Sequence, residues 1–347
     1  MHTRSVAALA LSVALAPSVL AQTEFVVSEY TLGGSEVVRY ANAGAGSDLA
    51  NYAVQMGPGG DVYVVRDGLS SPSSNLGDVI RYTREGSEVS SVNFGAVNAS
   101  DRRLTGLDFD SAGNMYVSAR NGIGPIGTAA TRGSIFRVAA VGGAITTLQP
   151  FGFAPDYNDV SISNDDRIYA SAWRGAFTGD DQMVETNQFG ANLNSFSNTG
   201  NSVFHLDMDV SPTHDNVVAL TRNNGDQSTG RGWKIFSPGG ATFNTINLGG
   251  IDDYDFVGLE LDDQATLWTY NRATESVERY MLSGTLLESY SIPGVNNFLT
   301  DFTMTPDGNA IFSYRVNVPA PASGALATLA GVVLTSKLCP KSIEATM

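Results

Sequence analysis

Apolar and polar positions alternate along this chain in a recurring unit of two short strands joined by a tight turn. The unit is clearest from Leu299 to Arg315, LTDFTMTPDGNAIFSYR, where a Pro-Asp-Gly-Asn turn separates two apolar strands. Its relatives are NYAVQMGPGGDVYVVRD from Asn51, LTGLDFDSAGNMYVSAR from Leu104, YNDVSISNDDRIYASAW from Tyr157, HLDMDVSPTHDNVVALTR from His205 and FVGLELDDQATLWTYNR from Phe256. With Val54, Leu107, Val160, Met208, Leu259 and Phe302 taken as equivalent, successive copies lie 53, 53, 48, 51 and 43 residues apart. That period predicts propeller blades rather than helical repeats.

A complete blade can be traced from Asn51: YAVQM, DVYVVRD, GDVIRYTRE and SEVSSVNFG form a four-strand meander, with the shortest strand expected innermost. The second, fourth and fifth copies continue in the same way. Gly follows the third strand in most of them, as a turn needing positive φ requires. The third copy departs from the pattern: the stretch from Arg174 to Phe204 is rich in Asn, Gly and Ser with weak strand signals, and reads as a loop-rich insertion, a ligand-facing flap or a solvated excursion. Before the first copy, EFVVSEY and SEVVRYAN flank Thr31-Leu32-Gly33-Gly34 and read as a hairpin, whereas the sixth copy ends at Arg315 with two strands only. The expectation is an all-β, six-bladed β-propeller over residues 22–316 whose last blade is closed by N-terminal strands, which removes an open sheet edge. An independent N-terminal half-blade would make seven.

Composition agrees with an ordered, turn-rich β protein: 42 % of residues are apolar, 16 % charged, and 37 are Gly. The net charge of −15 disfavours nucleic acid and anionic lipid and leaves cations, basic proteins or neutral glycans as better-matched partners. The one cysteine, Cys339, builds neither a disulfide framework nor a CxxC metal site.

The termini suggest an address. Residues 1–21 carry Arg4, an apolar run from Val6 to Leu20 and the small residues Val19 and Ala21, so a signal peptide cleaved between Ala21 and Gln22 is expected. At the other end Val318-Pro319-Ala320-Pro321-Ala322-Ser323 resembles the Val-Pro-Glu-Pro-Ala-Ser core of the PEP-CTERM sorting tail of exported bacterial proteins, with Ala320 in place of Glu. That resemblance implies that residues 317–347 form a tail processed by an exosortase during delivery to the cell surface or the extracellular matrix. Lys337 and Lys341 stand where that family has an Arg cluster.

Candidate chemistry is sparse. Past residue 21 there are two histidines, His205 and His214, and HExxH, GxSxG and P-loop motifs are missing. The residues just before the six equivalent positions are Ala53, Gly106, Asp159, Asp207, Gly258 and Asp301. In a ring, those three carboxylates converge at one channel mouth with Asn158 beside them, an oxygen-rich set of the kind Ca²⁺ takes; the competing reading is that they bond backbone amides. The repeat is broadly similar to the gluconolactonase and senescence-marker propellers and to the NHL-repeat group, through units such as Thr305-Pro306-Asp307-Gly308-Asn309. The former resemblance implies a divalent-metal lactonase or esterase-like hydrolase, although Ala50-Asn51-Tyr52 stands where that family has its Glu. The run from Asp108 to Asn114 reads as turn chemistry, Asp252-Asp253-Tyr254-Asp255 as a solvated loop, and Trp173, Trp233 and Trp268 as wedge fillers between blades rather than sugar-stacking platforms. The leading expectation is an exported, non-catalytic binding protein whose partner is an extracellular polysaccharide or a surface protein. A metal-dependent hydrolase and a self-associating matrix component are the rivals.

Overall fold

A computed structural model of the chain describes residues 22–43, 49–68, 77–95, 102–121, 133–148, 156–173, 182–197, 203–211, 216–223, 232–237, 242–247, 256–295 and 299–318. Its contacts divide the chain into a compact unit, Glu24–Val316, and a second unit of Met1–Thr23 with Asn317–Met347, of which only the ends of two strands are described.

The first unit is a six-bladed β-propeller. The N-terminal hairpin is β1 (Gln22–Tyr30) and β2 (Glu36–Ala43). Blade 1 contains β3 (Leu49–Met56), β4 (Val62–Gly68), β5 (Asp78–Tyr82) and β6 (Glu88–Asn93). Blade 2 contains β7 (Arg102–Phe109), β8 (Met115–Asn121), β9 (Ser134–Val138) and β10 (Ile145–Leu148). Blade 3 contains β11 (Asp156–Ile162), β12 (Ile168–Trp173), β13 (Gln182–Thr186) and β14 (Asn192–Ser197). Blade 4 contains β15 (Val203–Val210), β16 (Val217–Asn223), β17 (Gly232–Phe236) and β18 (Thr242–Asn247). Blade 5 contains β19 (Phe256–Leu261), β20 (Thr266–Asn271), β21 (Ser276–Met281) and β22 (Leu286–Ser291). The last two strands are β23 (Leu299–Met304) and β24 (Ala310–Val318).

The sixth sheet runs β2-β1-β24-β23, so the chain's two ends build one blade, as the position of the N-terminal hairpin requires. Two expectations need correction. The stretch after Trp173 is no loop-rich insertion: it contains β13 and β14, because Met183 and Val184 supply two fully buried side chains that a composition dominated by Asn, Gly and Ser conceals. Nor is the innermost strand the shortest in blade 1, where the sequence traces all four strands. There β3 has 8 residues against 5 and 6 in the outer pair, since the inner strand must also carry the channel lining.

The apolar alternation of each sheet is buried between neighbouring blades. Val65 and Val79 of blade 1 pack with Leu104, Leu107, Val117 and Phe136 of blade 2, and Trp268 and Tyr270 of blade 5 pack with Phe302 and Phe312 of blade 6. Trp233 is fully buried, with its ring 4.8 Å from that of Tyr280, and Trp268 is 8 % exposed. Both are wedge fillers. The side chain of Trp173 lies outside the described residues. The turns between the first two strands of a blade are tied by their own side chains. Asp110 Oδ1 accepts from the Ala112 and Asn114 amides, Asp262 Oδ1 from those of Gln264 and Thr266, and Thr305 Oγ1 from that of Asn309.

Both sides of the closing seam meet at Glu29. This residue is 1 % exposed, on β1, and accepts bonds from Tyr40 of β2 (2.5 Å), from both terminal nitrogens of Arg84 in the β5–β6 turn (2.8 and 2.9 Å) and from Asn309 in the β23–β24 turn (2.7 Å). One carboxylate therefore joins the N-terminal hairpin, the first blade and the C-terminal strands.

Candidate functional site

The six innermost strands share an irregularity. Each has one β-bulge just before its core anchor: the ladder skips Tyr52, Thr105, Asn158, Leu206 and Thr300, each two residues before the anchor, and in blade 5 Gly258, one residue before it. A bulge re-aims the residues that follow it. Beyond it, strand alternation places two positions per blade on the channel side, one before and one after each core anchor.

Each innermost strand is also a sheet edge, so alternate N–H groups point at the axis with no strand to receive them. Carboxylates of the preceding blade accept them. Asp301 Oδ2 of blade 6 takes the Val54 amide of blade 1 at 2.9 Å, and Asp159 Oδ2 of blade 3 takes the Met208 amide of blade 4 at 2.9 Å. Asp207 of blade 4 receives the Leu259 amide of blade 5. One level on, Asp108 Oδ2 of blade 2 takes the Ile162 amide of blade 3 and Asp209 Oδ2 of blade 4 takes the Leu261 amide of blade 5, both at 2.6 Å.

The bare backbone at Gly106, before the anchor of blade 2, is required sterically. A Cβ on Gly106 would stand 2.0 Å from Asp159 Oδ1, so a carboxylate in blade 3 needs a bare backbone in blade 2.

Asp159, Asp207 and Asp301, the three carboxylates singled out in the sequence, do line one cavity on the channel axis, of about 30 Å³. Asn158 occupies the bulge and is not among the residues lining it. The lining also includes Gln55, Asp108, Ser161, Asp209 and Glu260, so six carboxyl groups face one small space, and among the described residues the lining holds no Lys, Arg or His. Asp108 is thus a channel residue rather than part of the turn chemistry that explains Asp110. Among the described residues, no group of three His, Cys, Asp or Glu is arranged to hold a metal ion.

Enclosure raises every one of these acids. Burial pushes Asp108 up to about 6; burial and then the charge of Asp108 push Asp209 up to about 7. Asp159 is held well above the usual carboxylate range by burial and then by Asp207, to which it is hydrogen-bonded; Asp301 by burial and then Asp207; Glu260 by burial and then Asp209. Burial raises Asp207 as well. A space of this size admits one or two waters.

Sequence reasoning found the first ring and missed the second. Gln55, Asp108, Ser161, Asp209, Glu260 and Thr303 share no residue type, yet each stands two positions after the first-ring residue of its blade and so on the same strand face. A polar residue at that position in all six inner strands was the signal. The aspartates 252, 253 and 255, and the side chains of His205 and His214, lie outside the described residues, as do residues 1–21 and 319–347.

No protein-family model matches this chain, and no curated protein matches it either. Solved structures do. A streptogramin B lyase is similar over 84 % of this chain and 95 % of its own, with a TM-score of 0.52 and 10 % identity. A catalytically inactive variant of virginiamycin B lyase from Staphylococcus aureus, solved with quinupristin, is similar over 84 % and 99 %, with a TM-score of 0.50 and 10 % identity. The likeness is one of fold. At 10 % identity it shows a β-propeller similar to the streptogramin B lyase type, and no more.

Proposed function

We propose that this protein is an exported, non-catalytic propeller retained at the bacterial surface or in the extracellular matrix, where it binds a polysaccharide or another surface protein. The observation that carries the reading is the state of the channel. At least one oxygen of Asp108, Asp159, Asp209 and Asp301 is committed to the amide of the next blade, and the remaining space is about 30 Å³. Small-molecule sites commonly offer about 300–1,000 Å³. That leaves little room for a lactone with an attacking water, which supports reading these residues as blade-to-blade staples. The N-terminal apolar run ending at Ala21 and the Val318–Ser323 motif support export and retention, with an exosortase-type enzyme as the processing partner.

The test is a paired assay on the mature chain. Sugar lactones and short-chain esters, offered with Ca²⁺, Mn²⁺ or Zn²⁺, are expected to turn over at the uncatalysed rate, while extracellular polysaccharide from the producing cell retains the protein in co-sedimentation. Metal-stimulated hydrolysis abolished by Asp207→Asn would replace this reading with the hydrolase.

A further inference from the structure

The second ring of the channel is a continuous belt with one polar side chain from each blade, and its hydrogen count does not close with every acid ionised. Thr303 Oγ1 of blade 6 lies 2.8 Å from Gln55 Oε1 of blade 1 and 2.9 Å from Glu260 Oε2 of blade 5. Both neighbours are acceptors, and a hydroxyl carries one proton. The Gln55 amide is fixed in this sense because its Oε1 also receives the Met56 N–H at 3.1 Å and its NH₂ serves Asp108. Two oxygen–oxygen contacts under 3 Å need two protons. Thr303 supplies one, and the other can come only from Glu260.

We propose that the propeller is held closed by a proton-loaded belt in which Glu260, as a neutral carboxylic acid, donates to Thr303 and Thr303 donates to Gln55. This locks blades 5, 6 and 1 across the seam where the chain's two ends meet, and loss of that proton at alkaline pH loosens the ring.

Among the described residues, the groups that face Glu260 are all acids or neutral donors. They are Asp209 and Asp207 from blade 4, Asp301 and Thr303 from blade 6, Gln55 from blade 1, Asp108 from blade 2, and Asp159 with Ser161 from blade 3. With no Lys, Arg or His among the described lining residues, protonation is the neutralising route that these residues themselves provide. Burial and then the charge of Asp209 hold the Glu260 carboxyl well above its usual range. The sign follows from linkage. An acid whose affinity for its proton is raised by folding gives stability that is complete below its unfolded value and is lost as pH rises through the folded one. For Asp108 beside it that window runs from the ordinary carboxylate range to about 6.

The test uses the mature chain in metal-free, chelator-containing buffer. Thermal unfolding is expected to fall by about 5 °C or more from pH 5 to pH 8. Glu260→Gln, whose amide copies the donor of the neutral acid, is expected to recover part of that loss at pH 8, the remainder belonging to Asp108 and Asp209, while matching the parent at pH 5. At pH 7 the infrared difference between parent and Glu260→Gln is expected to show loss of a protonated-carboxyl carbonyl band. A melting temperature that is level or rising from pH 5 to pH 8 would overturn the proposal. So would a Gln variant equally weakened at both pH values, or a parent spectrum without that band.

Discussion

Removing residues 22–43 is expected to abolish cooperative unfolding of the propeller. The deletion strips β1 and β2 from the sixth sheet and leaves β24 with an open edge. It also removes Val26 and Val27, which are almost fully buried, and Phe25 and Tyr40, at 8 % and 5 % exposure. At about 2 kcal/mol for each large apolar side chain, the loss is comparable to the whole stability of an ordinary domain. Glu29 and the Tyr30–Tyr314 hydroxyl contact at 2.8 Å go with them. Circular dichroism of the truncated chain should show no sharp melting transition. Adding the hairpin as a separate peptide should restore one. A truncated chain that melts sharply by itself would mean that five blades and a remnant suffice, and that the seam is decorative.

Arg84→Ala is expected to destabilise the protein by about 3 kcal/mol, because it leaves the buried Glu29 carboxylate without its cation. Tyr40 and Asn309 still donate to Glu29, but neither carries charge. The internal control is Asp307. It lies 3.6 Å from Arg84 and is 78 % exposed, so Asp307→Ala should change little that urea unfolding can measure. Equal effects from the two substitutions would refute the view that the Glu29 cluster, rather than surface charge, holds the seam.

These expectations show how unevenly the sequence displays the fold. The repeat was legible because each copy places apolar anchors such as Val54 and Phe302 between a turn and a bulge, and because the hairpin before Asn51 had no partner strands except the two after Leu299. Blade 3 was harder to read. In β13 the buried run is Met183, Val184, Glu185 and Thr186, so apolar and polar residues are buried together and the alternation is weak there. The channel was half legible. Asp159, Asp207 and Asp301 share a residue type and stood out, whereas Gln55, Ser161, Glu260 and Thr303 are chemically mixed and become a set only when the six strands are superposed. The amide acceptors were obscure for another reason. The partner of Asp301 is Val54, 247 residues away, and no local pattern carries that contact.

Under the proposed reading, the channel carboxylates staple blades to one another and do not form a metal-dependent active centre. The most direct measurement is metal content and thermal unfolding of the purified mature chain at pH 7, with and without chelator. No stoichiometric divalent metal is expected, with a melting temperature that ignores the chelator. One tightly bound calcium per chain, lost on chelation together with several degrees of melting temperature, would contradict that reading.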